Sequence, residues 1–457
     1  MNYLSSLRAR CILAILSGAT YAMAYPPLGW DWLVVPGIAG LLVALRGLHG
    51  TRARTIGFLH GLVAFGVGLS WMIHIFGVLV IMLWCILAAF TWLFAEMQSR
   101  AVLRGLAGWR LAGFTALNWC AWEFIRAEVF PLKFPWMTAG LAIGPNALLP
   151  WIGVYGVGAL VVLAVALAVM WRWYAGLSIL GLLLLAVAAS SRLPEPAADD
   201  PRTLTVAGLQ LESVSLDEYI KGTKQLPPDV RHVVWPEYAV PYDIQANERD
   251  WNLVQTLCKD QNITLTFGTQ LHETPGKGWR NIALTLDPTG TLGLHNKVHT
   301  VHLFEDGKPG KTALPIQTSH GKIGTPVCFD CDYEGVTRRM TAAGVEMFIV
   351  PIMDAESWTA RQHEQHGELF RIRACENGRW IFVVATSGVS QLIGPNGHVH
   401  ARLAALRQGT ISGILRRETK LTFYTRFGWL VPWGVLGVAA LSWVFLLVPR
   451  PRGLVEK

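Results

Sequence analysis

Charge is what this sequence has least of. Only 15% of its 457 residues are Asp, Glu, Lys or Arg, against 52% hydrophobic residues and a mean hydropathy of +0.37. That balance excludes an ordinary soluble protein, and the length leaves room for a membrane bundle plus one domain of roughly 200 residues. Most acidic residues lie between Glu195 and Glu418, so the net charge of +8 needs a local explanation. Many of the basic residues outside that stretch sit in short loops between apolar runs, as orientation signals do, and nucleic acid is not an expected partner. Cysteine is also scarce, with seven in the chain and a single C-x-x-C at Cys328-Phe-Asp-Cys331. Without a second pair this is a poor zinc site, and a disulfide there would silence a thiol; Cys331 reads as a reduced, packed neighbour. The H-E-x-x-H spacing of a zinc protease is missing too: His363-Glu-Gln-His366 puts its histidines three apart, so hydrogen-bonding or surface roles are expected.

What is abundant is apolar sequence. Hydropathy predicts spans near 11–27, 31–45, 56–74, 77–96, 111–129, 146–171, 174–191 and 429–448, about eight in all, several near the roughly 20 residues a bilayer core requires. The basic residues Arg8 and Arg10 precede the first, but no small-residue cleavage site follows, so a retained helix is expected in place of a signal peptide. Arg8, Arg10, Arg46, Arg52, Arg54, Arg100, Arg104, Arg110, Arg172, Arg450, Arg452 and Lys457 fall in alternate loops. The opposite loops are nearly uncharged apart from Arg126 and Lys133. This asymmetry predicts that both termini are cytoplasmic and that the polar block between the seventh and eighth spans lies outside the cytoplasm. The expected domains are 1–192, a bundle of about seven helices; 203–418, a catalytic domain; and 429–448, a last span. Trp30, Trp32, Trp171, Trp173, Tyr174, Trp429 and Trp433 stand near span ends as interfacial anchors.

Within the polar block, β-rich runs at 203–209, 232–235, 263–269, 282–286, 322–327, 347–351 and 380–385 alternate with helical patterns at 247–260, 334–344 and 360–377. Asp287-Pro-Thr-Gly290 and Gly394-Pro-Asn-Gly397 mark turns between strand pairs. The pattern predicts an α/β layered domain. Three chemistry-bearing residues follow apolar strands: Glu237 after Val233-Val-Trp-Pro236, Lys297 after Asn296, and Cys328 after Gly324-Thr-Pro-Val327. A thiol becomes a nucleophile if a carboxylate takes its proton and a cation supports the developing oxyanion, and these three supply both without a histidine. Arg371 and Arg373 are expected to pair with Glu368 or Glu376.

The motifs Trp-Pro-Glu237, Asn-Lys297-Val-His and Val-Cys328-Phe-Asp330 resemble the Glu-Lys-Cys motifs of the nitrilase, or carbon–nitrogen hydrolase, superfamily. Flanking spans, Ala24-Tyr-Pro-Pro-Leu-Gly-Trp30, Phe134-Pro-Trp136, Arg371-Ile-Arg-Ala-Cys-Glu-Asn-Gly-Arg379 and Arg426-Phe-Gly428 narrow the resemblance to the membrane-integrated apolipoprotein N-acyltransferases. The resemblance implies a nitrilase-like αββα domain on a polytopic helical bundle. It implies Glu237 as general base, Cys328 as nucleophile, Lys297 as oxyanion support and Glu305, eight residues after that lysine, as a further carboxylate. Asp330 stands where the family usually has Glu, and the Phe329 N–H is an oxyanion donor by analogy. No cofactor or metal is implied. The implied partners are a phospholipid acyl donor and a lipid-anchored apolipoprotein acceptor, met at a bacterial inner membrane from the periplasmic side. The sequence departs from the family at His299-Thr-Val-His-Leu-Phe-Glu305 and at Thr386-Ser-Gly388. That keeps a membrane-tethered amidase using water as the alternative, with a non-catalytic envelope scaffold as a lesser one.

Overall fold

The computed structural model describes residues 6–190, 194–197, 199–272 and 278–448, and the chain divides into two compact units. The first gathers 1–143, 154–185 and 429–457; the second comprises 144–153 and 186–428.

The first unit is helical. Its main helices are Leu7–Ala22, Val34–Leu45, Gly50–Gly68, Val80–Leu103, Gly108–Phe124, most of Leu149–Met170, Trp173–Ala188 and Leu430–Leu447. Among the described residues, three helical stretches are long and apolar enough to cross a membrane: Ser70–Leu103, Leu149–Met170 and Tyr424–Leu447. Asp31–Leu45 and Trp173–Ala188 are apolar but shorter. The stretch Leu149–Met170 is interrupted at Gly153, whose φ of 64° and ψ of 179° only glycine adopts at ease. Two of the buried polar groups here are paired as follows: His60 Nδ1 lies 2.9 Å from Ser17 Oγ, and Arg126 donates to the carbonyls of Phe134 and Trp136 at 2.7 and 2.8 Å.

The second unit is built on two six-stranded sheets. Its strands are β1 (Thr203–Gln210), β2 (His232–Val234), β3 (Thr264–His272), β4 (Trp279–Asp287), β5 (Gly290–Asn296), β6 (Ile316–Thr318), β7 (Gly321–Gly324), β8 (Met347–Ile352), β9 (Ile381–Ala385), β10 (Ser390–Ile393), β11 (Val399–Leu403) and β12 (Gly409–Arg416). One sheet runs β12-β1-β2-β3-β4-β5 and the other β11-β10-β9-β8-β7-β6. In each, three neighbouring strands are parallel (β1-β2-β3 and β7-β8-β9) and the remaining pairings are antiparallel. Val206, Val234, Ile349, Phe382 and Val384 fill the space between the sheets. Tyr219, Val254 and Leu257 cover the outer face of the first, from helices Leu216–Lys224 and Glu248–Gln261. Val336, Met340, Phe370 and Ala374 cover the second, from helices Glu334–Ala342 and Thr359–Asn377. The result is four layers, helix–sheet–sheet–helix, the arrangement of a nitrilase-like domain.

Local chemistry explains these elements. Ser215 and Glu218 form a reciprocal capping box, while Asn262 and Gly378 end their helices in the left-handed conformation. The turn expected at 287–290 joins β4 to β5, and the one at 394–397 joins β10 to β11. The run expected at 322–327 is paired as a strand only at Gly321–Gly324, and Val327 is still extended where the Cys328 turn begins.

Candidate active site

The expected residues emerge at strand ends. Glu237 follows β2, Lys297 follows β5, Cys328 follows β7, and Met353 follows β8. The Glu237 segment is wedged in place. Trp235 is fully buried, donates to Thr223 Oγ1 at 3.0 Å and packs on Phe267 and Tyr219. Across from it, a Cβ at Gly268 of β3 would lie 2.4 Å from Glu237 Cα, so only glycine allows the two backbones this close.

Lys297 is the centre of a buried cluster. Its Nζ lies 2.8 Å from Glu237 Oε1 and 2.8 Å from Asp306 Oδ2, and the side chain is 2% exposed. Asn281 of β4 donates to Glu237 Oε1 at 2.6 Å and to Asp306 Oδ1 at 2.8 Å. The Tyr238 hydroxyl donates to the same Asp306 oxygen at 2.6 Å, and the Val301 N–H caps Asp306 Oδ2 at 2.9 Å. The other oxygen of Glu237 accepts from the Met353 N–H at 2.8 Å.

Electrostatics follow from burial and proximity. Burial pushes the Glu237 carboxyl above its ordinary value and Asp306 adds to that, with Lys297 opposing. Burial works against the Lys297 ammonium, but Glu237 and Asp306 outweigh it and hold the lysine charged well above its usual range. Asp306, also buried, is held below the usual carboxylate range by Lys297. Of the two carboxylates, Glu237 is therefore the stronger base.

Cys328 opens the turn Cys328–Cys331 with φ 47°, a left-handed conformation that costs a non-glycine residue energy and is often kept where a site requires it. Its Sγ–H faces the Met353 carbonyl at 3.7 Å. Burial and Glu237 push its thiol up and Lys297 pulls it back, so the thiol feels both charges of the cluster. Cys328 and Cys331 are free, as are the other five cysteines.

Two expectations change in detail. Glu305 is exposed and does not reach Lys297; its neighbour Asp306 stands there instead. The loop turns through Leu303 at φ 68°, and the Val301 N–H draws Asp306 inward. Asp330 does not touch the lysine. It accepts from the Val298 and His299 N–H groups at 2.9 and 2.7 Å, from Val327 N–H at 3.1 Å, and pairs with His295 Nε2 at 2.9 Å. It thus ties the cysteine turn to the segment just after Lys297. Burial opposes its charge, yet the His295 contact and the His299 N–H keep it below the ordinary range. Phe329 follows the thiol and sets its ring 5.1 Å from Tyr333. Arg371 is engaged by Glu368 and Arg373 by Glu376. Among the described residues, no group of three or more His, Cys, Asp or Glu is placed to hold a metal ion.

Sequence reasoning missed Asp306, Asn281, Tyr238 and Met353. Tyr238 and Asp306 adjoin residues that were singled out, whereas Asn281 sits mid-strand and carries no motif.

Comparison with known proteins assigns both parts of the chain. Residues 17–167 match the apolipoprotein N-acyltransferase N-terminal domain, and 213–419 match the carbon–nitrogen hydrolase domain. Apolipoprotein N-acyltransferase of Geobacter metallireducens is 26% identical over 498 residues, covering 94% of each chain. Its counterpart in Pseudomonas aeruginosa strain LESB58 is 27% identical over 494 residues, covering 96% of each. Among solved structures, the Helicobacter pylori G27 carbon–nitrogen hydrolase aligns with 19% identity and a TM-score of 0.42, over 55% of this chain and 96% of its own. Saccharomyces cerevisiae Nit3 aligns with 19% identity and a TM-score of 0.43, over 56% and 100%. With both of its parts matched and the relatives aligned almost end to end, this chain belongs to the apolipoprotein N-acyltransferase family of carbon–nitrogen hydrolases.

Proposed function

We propose that this chain is a multi-pass enzyme of the bacterial inner membrane that moves a fatty acyl group from a phospholipid to the amino group of a lipid-anchored apolipoprotein. The observation that carries this is the buried Glu237–Lys297–Asp306 cluster beside the free, left-handed Cys328, in a chain that matches acyltransferases over 96% of its length. In the first half-reaction Glu237 takes the Cys328 proton and Sγ attacks the ester carbonyl of the phospholipid. Lys297 and the Phe329 N–H stabilise the oxyanion, which a preorganised cation in a dry site does at little reorganisation cost. Collapse breaks the ester C–O bond, Glu237 returns the proton to the departing oxygen, and lysophospholipid leaves a thioester on Cys328. In the second half, the acceptor amine attacks that thioester, Glu237 takes its proton, and collapse breaks the C–S bond; Glu237 then returns the proton to the departing Cys328 sulfur as the N-acyl product forms.

Asp306 fixes the lysine and raises the basicity of Glu237, standing where Glu305 is expected as the further carboxylate. Asp330 keeps the nucleophile turn and the lysine segment in register. The loop charges favour about eight spans with both termini cytoplasmic and the catalytic domain outside, which confines both lipid substrates to one membrane plane. The boundaries we propose are 1–192 for the bundle, 203–418 for the catalytic domain and 429–448 for the last span. The apolar helices and the match that includes 17–167 favour acyl transfer over a water-using amidase or a scaffold.

The test is conversion of a diacylglyceryl-cysteine peptide in proteoliposomes. Wild-type protein is expected to yield the N-acyl peptide and lysophospholipid, and Cys328→Ala neither. Absence of both N-acyl peptide and lysophospholipid, with an amide substrate hydrolysed instead, would favour the amidase, and product formation by Cys328→Ala would refute the mechanism.

A further inference from the structure

A second buried cation stands behind the site. His366, on helix Thr359–Asn377, places Nδ1 2.9 and 3.0 Å from the two carboxylate oxygens of Asp354, and Nε2 3.0 Å from Asp332 Oδ1. All three side chains are buried, at 3%, 1% and 0% exposure. An ionised carboxylate only accepts, so a ring held within 3.0 Å of two of them is favoured as an imidazolium between two anions.

The two anions sit on the two walls of the site. Asp332 follows the Cys328–Cys331 turn and donates its N–H to the Phe329 carbonyl at 3.3 Å. Asp354 follows Met353, whose N–H holds Glu237 and whose carbonyl faces the Cys328 thiol. The segment is fixed from elsewhere as well. Gln362 donates to Asp354 Oδ1 at 3.0 Å, and the Asp354 carbonyl accepts from Thr386 Oγ1 at 3.0 Å and Ser387 N–H at 3.3 Å.

We infer that the Asp332–His366–Asp354 bridge is a positioning device for acyl transfer, holding the nucleophile turn against the Met353 backbone and cancelling the negative charge of Asp354 next to the Cys328 thiol. This rests on Cys328 being the nucleophile. The groups acting on that thiol are Glu237, Lys297 and Asp354. Those acting on the bridge include His363 on the same helix, which donates toward the Ala355 carbonyl at 3.0 Å, and the cysteine turn brings Asp330, with Arg373 facing Cys331. Of these, His366 is the cation in direct contact with Asp354. Burial disfavours its charge, but Asp354 and Asp332 outweigh that and raise its pKa to about 10, so it stays charged across the working range.

The experiment follows alkylation of Cys328 by iodoacetamide against pH in the full-length protein, read on the Cys328 peptide, alongside acylation by phospholipid. His366→Gln leaves Asp354 and Asp332 uncompensated, so the alkylation midpoint is expected to move alkaline by about one unit. Acylation is expected to fall at least ~10-fold, because small displacements at a reacting centre are costly. Adding Asp354→Asn to His366→Gln is expected to bring the midpoint back toward wild type, which a purely structural bridge would not do. Asp332→Asn, which keeps the His366–Asp354 pair but frees the cysteine turn, is expected to slow acylation with little change in midpoint. A wild-type midpoint and acylation rate in His366→Gln would overturn the inference. If that variant does not fold, wild-type acylation by Asp332→Asn would do so. The alkylation profile needs no acyl donor, so failure of the acyltransferase mechanism itself would appear separately, as absence of an acyl adduct on wild-type Cys328.

Discussion

Two buried cations, each gripped by two carboxylates, stand on either side of the Cys328 turn, and they differ in what they can do. Lys297 between Glu237 and Asp306 is an unequal arrangement: Glu237 is pushed up, Asp306 is held down, and the cluster can pass a proton. His366 between Asp332 and Asp354 is closed. Asp354 lies below the ordinary carboxylate range and the histidine far above its own, so no proton is available near neutral pH. The same charge count gives an acid–base device in one place and a clamp in the other. The difference starts from burial, which lifts Glu237, and hydrogen bonding widens it: Asp306 takes three donors besides the lysine, namely Tyr238, Asn281 and Val301, against Asn281 and Met353 for Glu237, which is left as the weaker acid of the pair.

The largest effect should come from breaking the open cluster. Lys297→Met removes the oxyanion cation and leaves two buried carboxylates facing each other; N-acyl transfer is expected to fall ~10³-fold or more, measured as single-turnover acylation. Asp306→Asn should follow, with a loss of ~10²-fold, whereas Glu305→Gln should stay near wild type; comparable losses in the two would restore Glu305 to the site. Activity should also decline on the acid side as Glu237 takes a proton, at a pH above that of an ordinary glutamate, because its value is raised.

The clamp should show itself in stability more than in rate. Breaking it in His366→Gln is expected to cost about 3 kcal/mol, read by chemical denaturation of the solubilised protein. The sign with pH is fixed. Because the folded pKa is raised from 6.5 to about 10, the histidine's contribution is full below about 6.5 and is lost as pH rises through about 10. The wild-type advantage over the variant should shrink across that window, and a constant difference would contradict a charged clamp. Smaller still is the effect expected at Arg402 and Glu364, an ion pair whose side chains are 45% and 31% exposed. Arg402→Gln should change stability by less than about 1 kcal/mol.

How much of this could be read in the sequence depended on distance along the chain. Glu237, Lys297 and Cys328 each follow an apolar run that reads as a strand, and local pattern located them. The helices expected at 247–260 and 360–377 formed at Glu248–Gln261 and Thr359–Asn377. What stayed hidden was long-range: Asn281 reaches Glu237 from mid-strand, 44 positions away, and His366 meets Asp332 from another helix. Asp306 was hidden by a single residue, because no pattern announces the left-handed turn at Leu303 that turns it, and not Glu305, inward.

The central claim is that Cys328 carries the acyl group between donor and acceptor. It is tested most directly by mixing purified protein with phospholipid, quenching, and locating the added mass by peptide-level mass spectrometry. The account predicts a fatty-acyl thioester on Cys328 that disappears when the lipopeptide amine is added, with N-acyl product rising in step. N-acyl product formed with no adduct on Cys328, or an adduct there that the amine does not discharge, would contradict it.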